Sequence, residues 1–221
     1  MLKKFTTALF TIIIFSLLMT STQLLAAPKT VKYAVTITNL TPGQTFTPFL
    51  VATHDQSVSL FTLGAPASNE LAAIAEAGNI QPMIDALTAG GSTLDTQTNG
   101  GLLGPGKSVT IEVSANAKAR FVSVAAMLIP TNDAFVSINR VALPIYASVH
   151  TAYAYDAGSE PNDELCKNIP GPFCKGEGGS PDRDGEGFVH IHSGIHGIGD
   201  LKPQIFDWRN PVAKIGIKRV L

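Results

Sequence analysis

The sequence predicts an all-β, antiparallel β-sandwich with a short helical insertion at about residues 68–89. Three observations carry this. Short β-rich runs recur along the chain, separated by Gly, Pro and Asn. The first run alternates strictly between apolar and polar side chains, and only one stretch, beginning at Ser68, has helical spacing.

Residues 31–38 put Val31, Tyr33, Val35 and Ile37 on one face and Lys32, Thr36 and Thr38 on the other, the period of a half-buried strand. Thr41-Pro42-Gly43-Gln44 ends it with a turn signal. Further strands are predicted at 49–53, 57–63, 108–113, 121–129, 135–143, 149–155, 188–192 and 212–220. In the insertion, Ser68 is a helix N-cap ahead of Leu71, Ile74 and Ala75. Gly78-Asn79 punctuates that helix, and 81–87 reads as a second one before Ala89-Gly90-Gly91. Its Ala-rich face is a packing surface, expected over one end of the sandwich.

Composition narrows the class. With 221 residues, 45% apolar, the chain can bury a sizeable core without help from metals or disulfides. Only 15% of residues are charged and the formal charge is −1. This argues against disorder and leaves no electrostatic footprint for nucleic acid. Residues 1–26 read as a secretory signal peptide: Lys3 and Lys4, an uncharged apolar run from Ala8 to Met19, then small residues at Ala26 and Ala27. The run is shorter than a spanning helix requires. Cleavage after Ala26 would leave one domain, 27–221, with no stable membrane span, in the periplasm or outside the cell. It would also remove two lysines and take the formal charge from −1 to −3. In that compartment Cys166 and Cys174, the only two cysteines, suit one local disulfide. A metal-binding pair is the competing reading, but the usual C-x2-C spacing is absent.

Charge is unevenly distributed. Between Asp156 and Glu186, eight carboxylates face three basic residues, a formal charge of −5 in one long loop at about 156–187. Loops of this length are functional or disordered. Two of the acidic positions follow directly on predicted strands: Asp133 after 121–129 and Asp156 after 149–155. If these strands run in the same direction, both carboxylates lie at one end of the sandwich. Gathered carboxylates suit Ca²⁺, which accepts several oxygen ligands in flexible geometry. Spacing alone favours simple turn stabilisation over a calcium site.

Tyr33–Leu40, Pro130-Thr131-Asn132-Asp133-Ala134-Phe135-Val136 and Asp156-Ala157-Gly158-Ser159-Glu160 resemble motifs of the spondin N-terminal domain of F-spondin, mindin and bacterial exported proteins. The resemblance covers roughly residues 30–160. It implies a C2-like β-sandwich that binds Ca²⁺ through acidic loops, with Asp133, Asp156 and Glu160 as the ligands by position. It also implies a binding or adhesion role toward a protein or glycan partner. Glu160 stands where the animal proteins have Asp, and Ala134 replaces their aromatic residue, with Phe135 one place later.

Two other clusters bear on chemistry. His190, His192 and His196 form an H-x-H-x3-H pattern, plausible for Zn²⁺ or Cu²⁺ with Asp184 or Asp200 as a fourth ligand. The alternative function is therefore an exported metalloenzyme using these histidines, although the pattern favours histidines that hydrogen-bond the adjacent acidic loop and order it. Phe206-Asp207-Trp208-Arg209 holds the sole Trp and reads as packing ahead of the last strand, with an exposed binding patch as the alternative. No nucleophile elbow, phosphate loop, H-E-x-x-H or dinucleotide fingerprint occurs, so no sequence feature supplies a catalytic residue.

Overall fold

The computed structural model describes residues 29–179 and 184–220; the predicted export signal at 1–26 lies outside the described residues. In chain order the strands are β1 (Val31–Asn39), β2 (Thr45–Phe46) and β3 (Leu50–His54), followed by helices α1 (Asn69–Ala77) and α2 (Gln81–Ala89). Then come β4 (Thr93–Gln97), β5 (Ser108–Ala115), β6 (Phe121–Ile129), β7 (Ala134–Ala142) and β8 (Ala147–Asp156). A 3-10 turn at Cys166–Asn168, β9 (His190–Ile191), a short helix α3 (Pro203–Phe206) and β10 (Ala213–Val220) complete the chain. The spatial order is β4-β3-β6-β7-β8-β10-β1-β5, every pairing antiparallel, with β2 on β6 and β9 on β8. The Ser114 amide donates to Asp95 Oδ2 (2.7 Å) and Thr53 Oγ1 to the Ser114 carbonyl (2.6 Å), so β5 lies against β3 and β4 and the sheet nearly closes on itself. The fold is an all-β sandwich.

Period two decides which side chains fill it. Tyr33, Val35 and Ile37 of β1 meet Val122, Val124, Ala126 and Leu128 of β6 and Ile215 and Ile217 of β10 in the main core. The intervening residues Ala125 of β6 and Phe135 of β7 face the other way, beneath Leu71 and Ile74 of α1 and Met83 of α2. β6 is therefore covered on both faces, which is why it reads as a continuous apolar run. The helices cover the outer face of the β3–β6–β7 sheet rather than one end of the sandwich. They sit there because only a residue such as Phe135, pointing away from the main core, needs covering.

Ser68 caps α1 as expected, accepting from the Leu71 amide at 3.2 Å. One predicted strand is absent. Residues 57–63 form a loop, because Asp55 Oδ1 takes the amide and hydroxyl of Ser57 (2.8 and 2.5 Å) and Asn139 Oδ1 takes the Leu60 amide (3.0 Å). Side-chain acceptors thus replace the ladder. At 188–192 only His190 and Ile191 pair, with Asp156 and Tyr155. Among the described residues no helix is long and apolar enough to cross a membrane.

Candidate metal centre

Strand direction assembles the centre. β6 and β8 are each antiparallel to β7, so both run the same way and end at the same side of the sheet. Asp133 directly precedes β7, Asp156 is the last residue of β8, and Glu160 follows in the next loop. All three are buried, with exposures of 0%, 1% and 0%. Asp133 Oδ2 accepts from the Ser159 amide (2.8 Å), the Ser159 hydroxyl (3.2 Å) and the Glu160 amide (3.1 Å). This carboxylate therefore organises the very loop that carries Glu160. Its other oxygen, Oδ1, is buried without a hydrogen-bond partner. Burial, reinforced by the charge of Asp156, pushes the Asp133 carboxyl up to about 8.

A second segment presses onto this loop from the far end of the acidic stretch. Gly158 has φ +65°, and a Cβ there would stand 2.4 Å from the Phe188 carbonyl oxygen. The Gly187 amide donates to the Gly158 carbonyl at 2.9 Å. Glycine alone permits both the left-handed backbone and the close approach. His190 and His192 consequently flank Asp156: His190 Nε2 is 3.8 Å from Oδ1 and His192 Nε2 is 3.8 Å from Oδ2. His190 Nε2 also lies 3.7 Å from Glu186 Oε2. Asn162 Nδ2 donates to Asp156 Oδ2 (2.7 Å) and Glu186 Oε1 (3.3 Å), tying those two carboxylates together through their other oxygens.

The histidines are not equivalent. His190 Nδ1 lies 3.0 Å from the Ile191 carbonyl, which can only accept, so Nδ1 carries a proton and, in the neutral imidazole, Nε2 a lone pair. His192 Nδ1 accepts from the Gly194 amide at 2.9 Å, so its proton sits on Nε2, facing Asp156. Burial holds the His192 imidazole below its ordinary value. His196 is not in the group formed by Asp156, Glu186 and His190: its Nε2 contacts Ser193 Oγ at 2.9 Å, and it lines a cleft of about 390 Å³ with His192, Asp207, Trp208 and Arg209. Trp208 itself is buried, its ring centroid 5.0 Å from that of His192.

Much of the acidic stretch is consumed structurally. Glu164 accepts the amides of His196, Gly197 and Ile198 (2.5, 2.8 and 3.1 Å). Asp163 accepts from Asn132 and Asn168 (2.9 and 2.7 Å), and Asp200, beyond the stretch, accepts the Cys166 amide (2.9 Å). Cys166 and Cys174 form the expected disulfide. Backbone and side-chain amides therefore answer these carboxylates, while Asp156 and Glu186 each keep an oxygen near His190 and Asp133 keeps Oδ1 buried without a partner.

Residues 32–161, more than half of the chain, match the family model described as Spondin_N. The chain belongs to the spondin N-terminal family. No curated protein matches it. Both family motifs noted in the sequence converge on the end just described, the spondin P-x-x-D segment supplying Asp133 and the D-A-G-S-E segment supplying Asp156 and Glu160. Spondin membership together with the disulfide marks an exported or extracellular protein with a binding or adhesion type of domain. Glu186 and Asn162 lie at or beyond the edge of what the spondin motifs indicate. The one sequence signal for Glu186 is its i,i+4 spacing to His190; Asn162 has none.

Proposed function

We propose that this end of the domain binds Ca²⁺ through Asp133, Asp156 and Glu160, and that the cation orders the loops that meet a protein or glycan partner outside the cell or at its envelope. The observation that carries the reading is the buried, unpartnered Oδ1 of Asp133 beside the buried Asp156. Among the described residues neither carboxylate has a Lys or Arg ion-pair partner. Two buried carboxylates without a countercharge are costly, and a hard, oxygen-preferring cation removes that cost. Because Asp133 Oδ2 already holds the Ser159 and Glu160 amides, a cation on Oδ1 would be coupled to the shape of the loop. A ligand that binds only the folded state stabilises it by about 2.7 kcal/mol at a hundredfold excess over Kd. Thermal denaturation in calcium and in chelator should therefore separate by roughly 5–10 °C for a domain of this size. Asp133→Asn should abolish the separation. Equal midpoints with and without millimolar Ca²⁺ in the wild-type protein would contradict the proposal.

A further inference from the structure

The geometry points to a second cation site beside the first: a zinc-type divalent transition metal held by His190 Nε2, Asp156 Oδ1 and Glu186 Oε2, with an open fourth position. One ligand atom from each of these three residues lies within 4.8 Å of the others. The inference does not depend on calcium at Asp133; Asp156 is the only side chain the two sites share.

Three independent features of the chain favour a metal over a simple ion pair. The first is the tautomer. The Ile191 carbonyl holds a proton on Nδ1 of His190, so in the neutral imidazole the Nε2 lone pair is aimed at two carboxylate oxygens. A lone pair and two anions repel one another unless something positive lies between them. A metal-ligating His characteristically donates its other N–H to a carbonyl or carboxylate, and His190 is already arranged so. The second is distance. Charge-assisted N–H···O bonds close to about 2.7–2.9 Å. His190 Nε2 stays 3.7 and 3.8 Å from its two neighbours and is buried without a hydrogen bond. Metal bonds of about 2.0–2.2 Å put adjacent tetrahedral donors about 3.3–3.6 Å apart, a few tenths of an ångström from what is found.

The third feature is the supporting shell. Asn162 bonds Asp156 Oδ2 and Glu186 Oε1, which turns the opposite oxygen of each carboxylate toward His190. The Gly158 amide fixes Asp156 Oδ1 at 2.7 Å. His192 belongs to this shell. It is 5% exposed, and its Nε2 is buried without a hydrogen-bond partner and aimed at Asp156 Oδ2. Because its Nδ1 accepts the Gly194 amide, Nε2 bears a proton and cannot coordinate. His192 is therefore a positioning residue for Asp156.

The donor set selects the metal. One imidazole and two carboxylates suit a borderline ion such as Zn²⁺, whereas Ca²⁺ takes oxygen ligands. Two negative charges leave a bound divalent ion net neutral at its first shell. Glu186 is 40% exposed and the His190 side chain 27%, so the group lies near the surface and an ion has a way in.

The test is a Zn²⁺ titration by calorimetry on the untagged, disulfide-intact protein, with Co²⁺ visible spectra as a structural readout. One equivalent should bind, and Co²⁺ should give intense d–d bands that Zn²⁺ displaces. His190→Ala and Glu186→Gln should each weaken Zn²⁺ binding about 10- to 100-fold or more, while Asp133→Asn leaves it unchanged. Circular dichroism and the calcium response of the His190→Ala protein check that it is folded. Absence of Zn²⁺ binding at millimolar concentration would overturn the inference, as would binding insensitive to both His190→Ala and Glu186→Gln. Loss of Zn²⁺ in Asp133→Asn would mean one common site, and the inference of a separate one would fail. Calcium binding that survives His190→Ala but not Asp133→Asn tests the calcium proposal separately.

Discussion

Replacing Gly158 with Ala tests the contact that brings the two halves of the metal centre together. Gly158 has φ +65°, and an added Cβ would meet the Phe188 carbonyl oxygen at 2.4 Å and its amide nitrogen at 2.8 Å. The left-handed conformation costs an L-residue about 1–2 kcal/mol. Forcing neighbouring backbone apart adds about 1–3 kcal/mol. Both neighbours are main chain, so no side chain can swing away. The sum is about 2–5 kcal/mol, or a fall in Tm of roughly 5–15 °C for a domain of this length. Gly100→Ala is the control: its φ is +64° but nothing lies within 4 Å of its added Cβ. It should therefore lose only the conformational part, about 1–2 kcal/mol. The assay is thermal unfolding by circular dichroism in chelator, for wild type and both variants. Equal losses in Gly158→Ala and Gly100→Ala would refute the close packing of the Phe188 segment on the loop after β8.

Other expectations follow from single contacts. His54 is buried, with its ring nitrogens on the Asp55 carbonyl and Ser123 Oγ, and burial lowers its pKa below 6.5. Below that pH the unfolded chain takes a proton that the folded one refuses. The contribution of His54 to stability should therefore fall as pH drops from about 6.5 toward its folded pKa, while Asp133, held up to about 8, acts in the opposite direction, so the reading is the difference between wild type and His54→Gln in urea titrations across pH. A stability of wild type relative to His54→Gln that grows on acidification in this window would contradict the sign. Replacing Cys166 and Cys174 with Ser should cost about 2–3 kcal/mol by chemical denaturation, because a short loop is released in the unfolded chain. Ser68→Ala removes the acceptor of the Leu71 amide and should cost about 1 kcal/mol; no change would mean α1 does not rely on its cap.

The parts of the fold that were legible are those where one periodicity holds without interruption. β1 alternates because one face meets the core, and β6 reads as continuous because helices cover its second face. β4, Thr93–Gln97, escaped notice: it is polar, with Leu94 its only large apolar side chain and that one exposed. The 57–63 segment carries apolar residues at strand-like spacing, yet Asp55 and Asn139 bind its amides first. The centre divides in the same way. Asp133 and Asp156 were legible because each sits at a strand boundary, just before β7 and at the end of β8, and counting strand directions puts them together. Glu186 reaches the centre through a loop-on-loop contact set by Gly158, and Asn162 through the path of the loop after β8. His190 and His192 look alike in sequence, and only their Nδ1 partners, the Ile191 carbonyl and the Gly194 amide, give them different protons.

Calorimetric titration with Ca²⁺ tests calcium binding at the buried pair Asp133 and Asp156 most directly. Wild-type protein purified in chelator and then freed of it should bind one equivalent per chain. Asp133→Asn should bind none while keeping its fold, since the amide oxygen can still accept the Ser159 and Glu160 amides that Oδ2 holds now. An Asp133→Asn protein that binds calcium as the wild type does, or a wild-type protein that gives no heat at millimolar Ca²⁺, would contradict it.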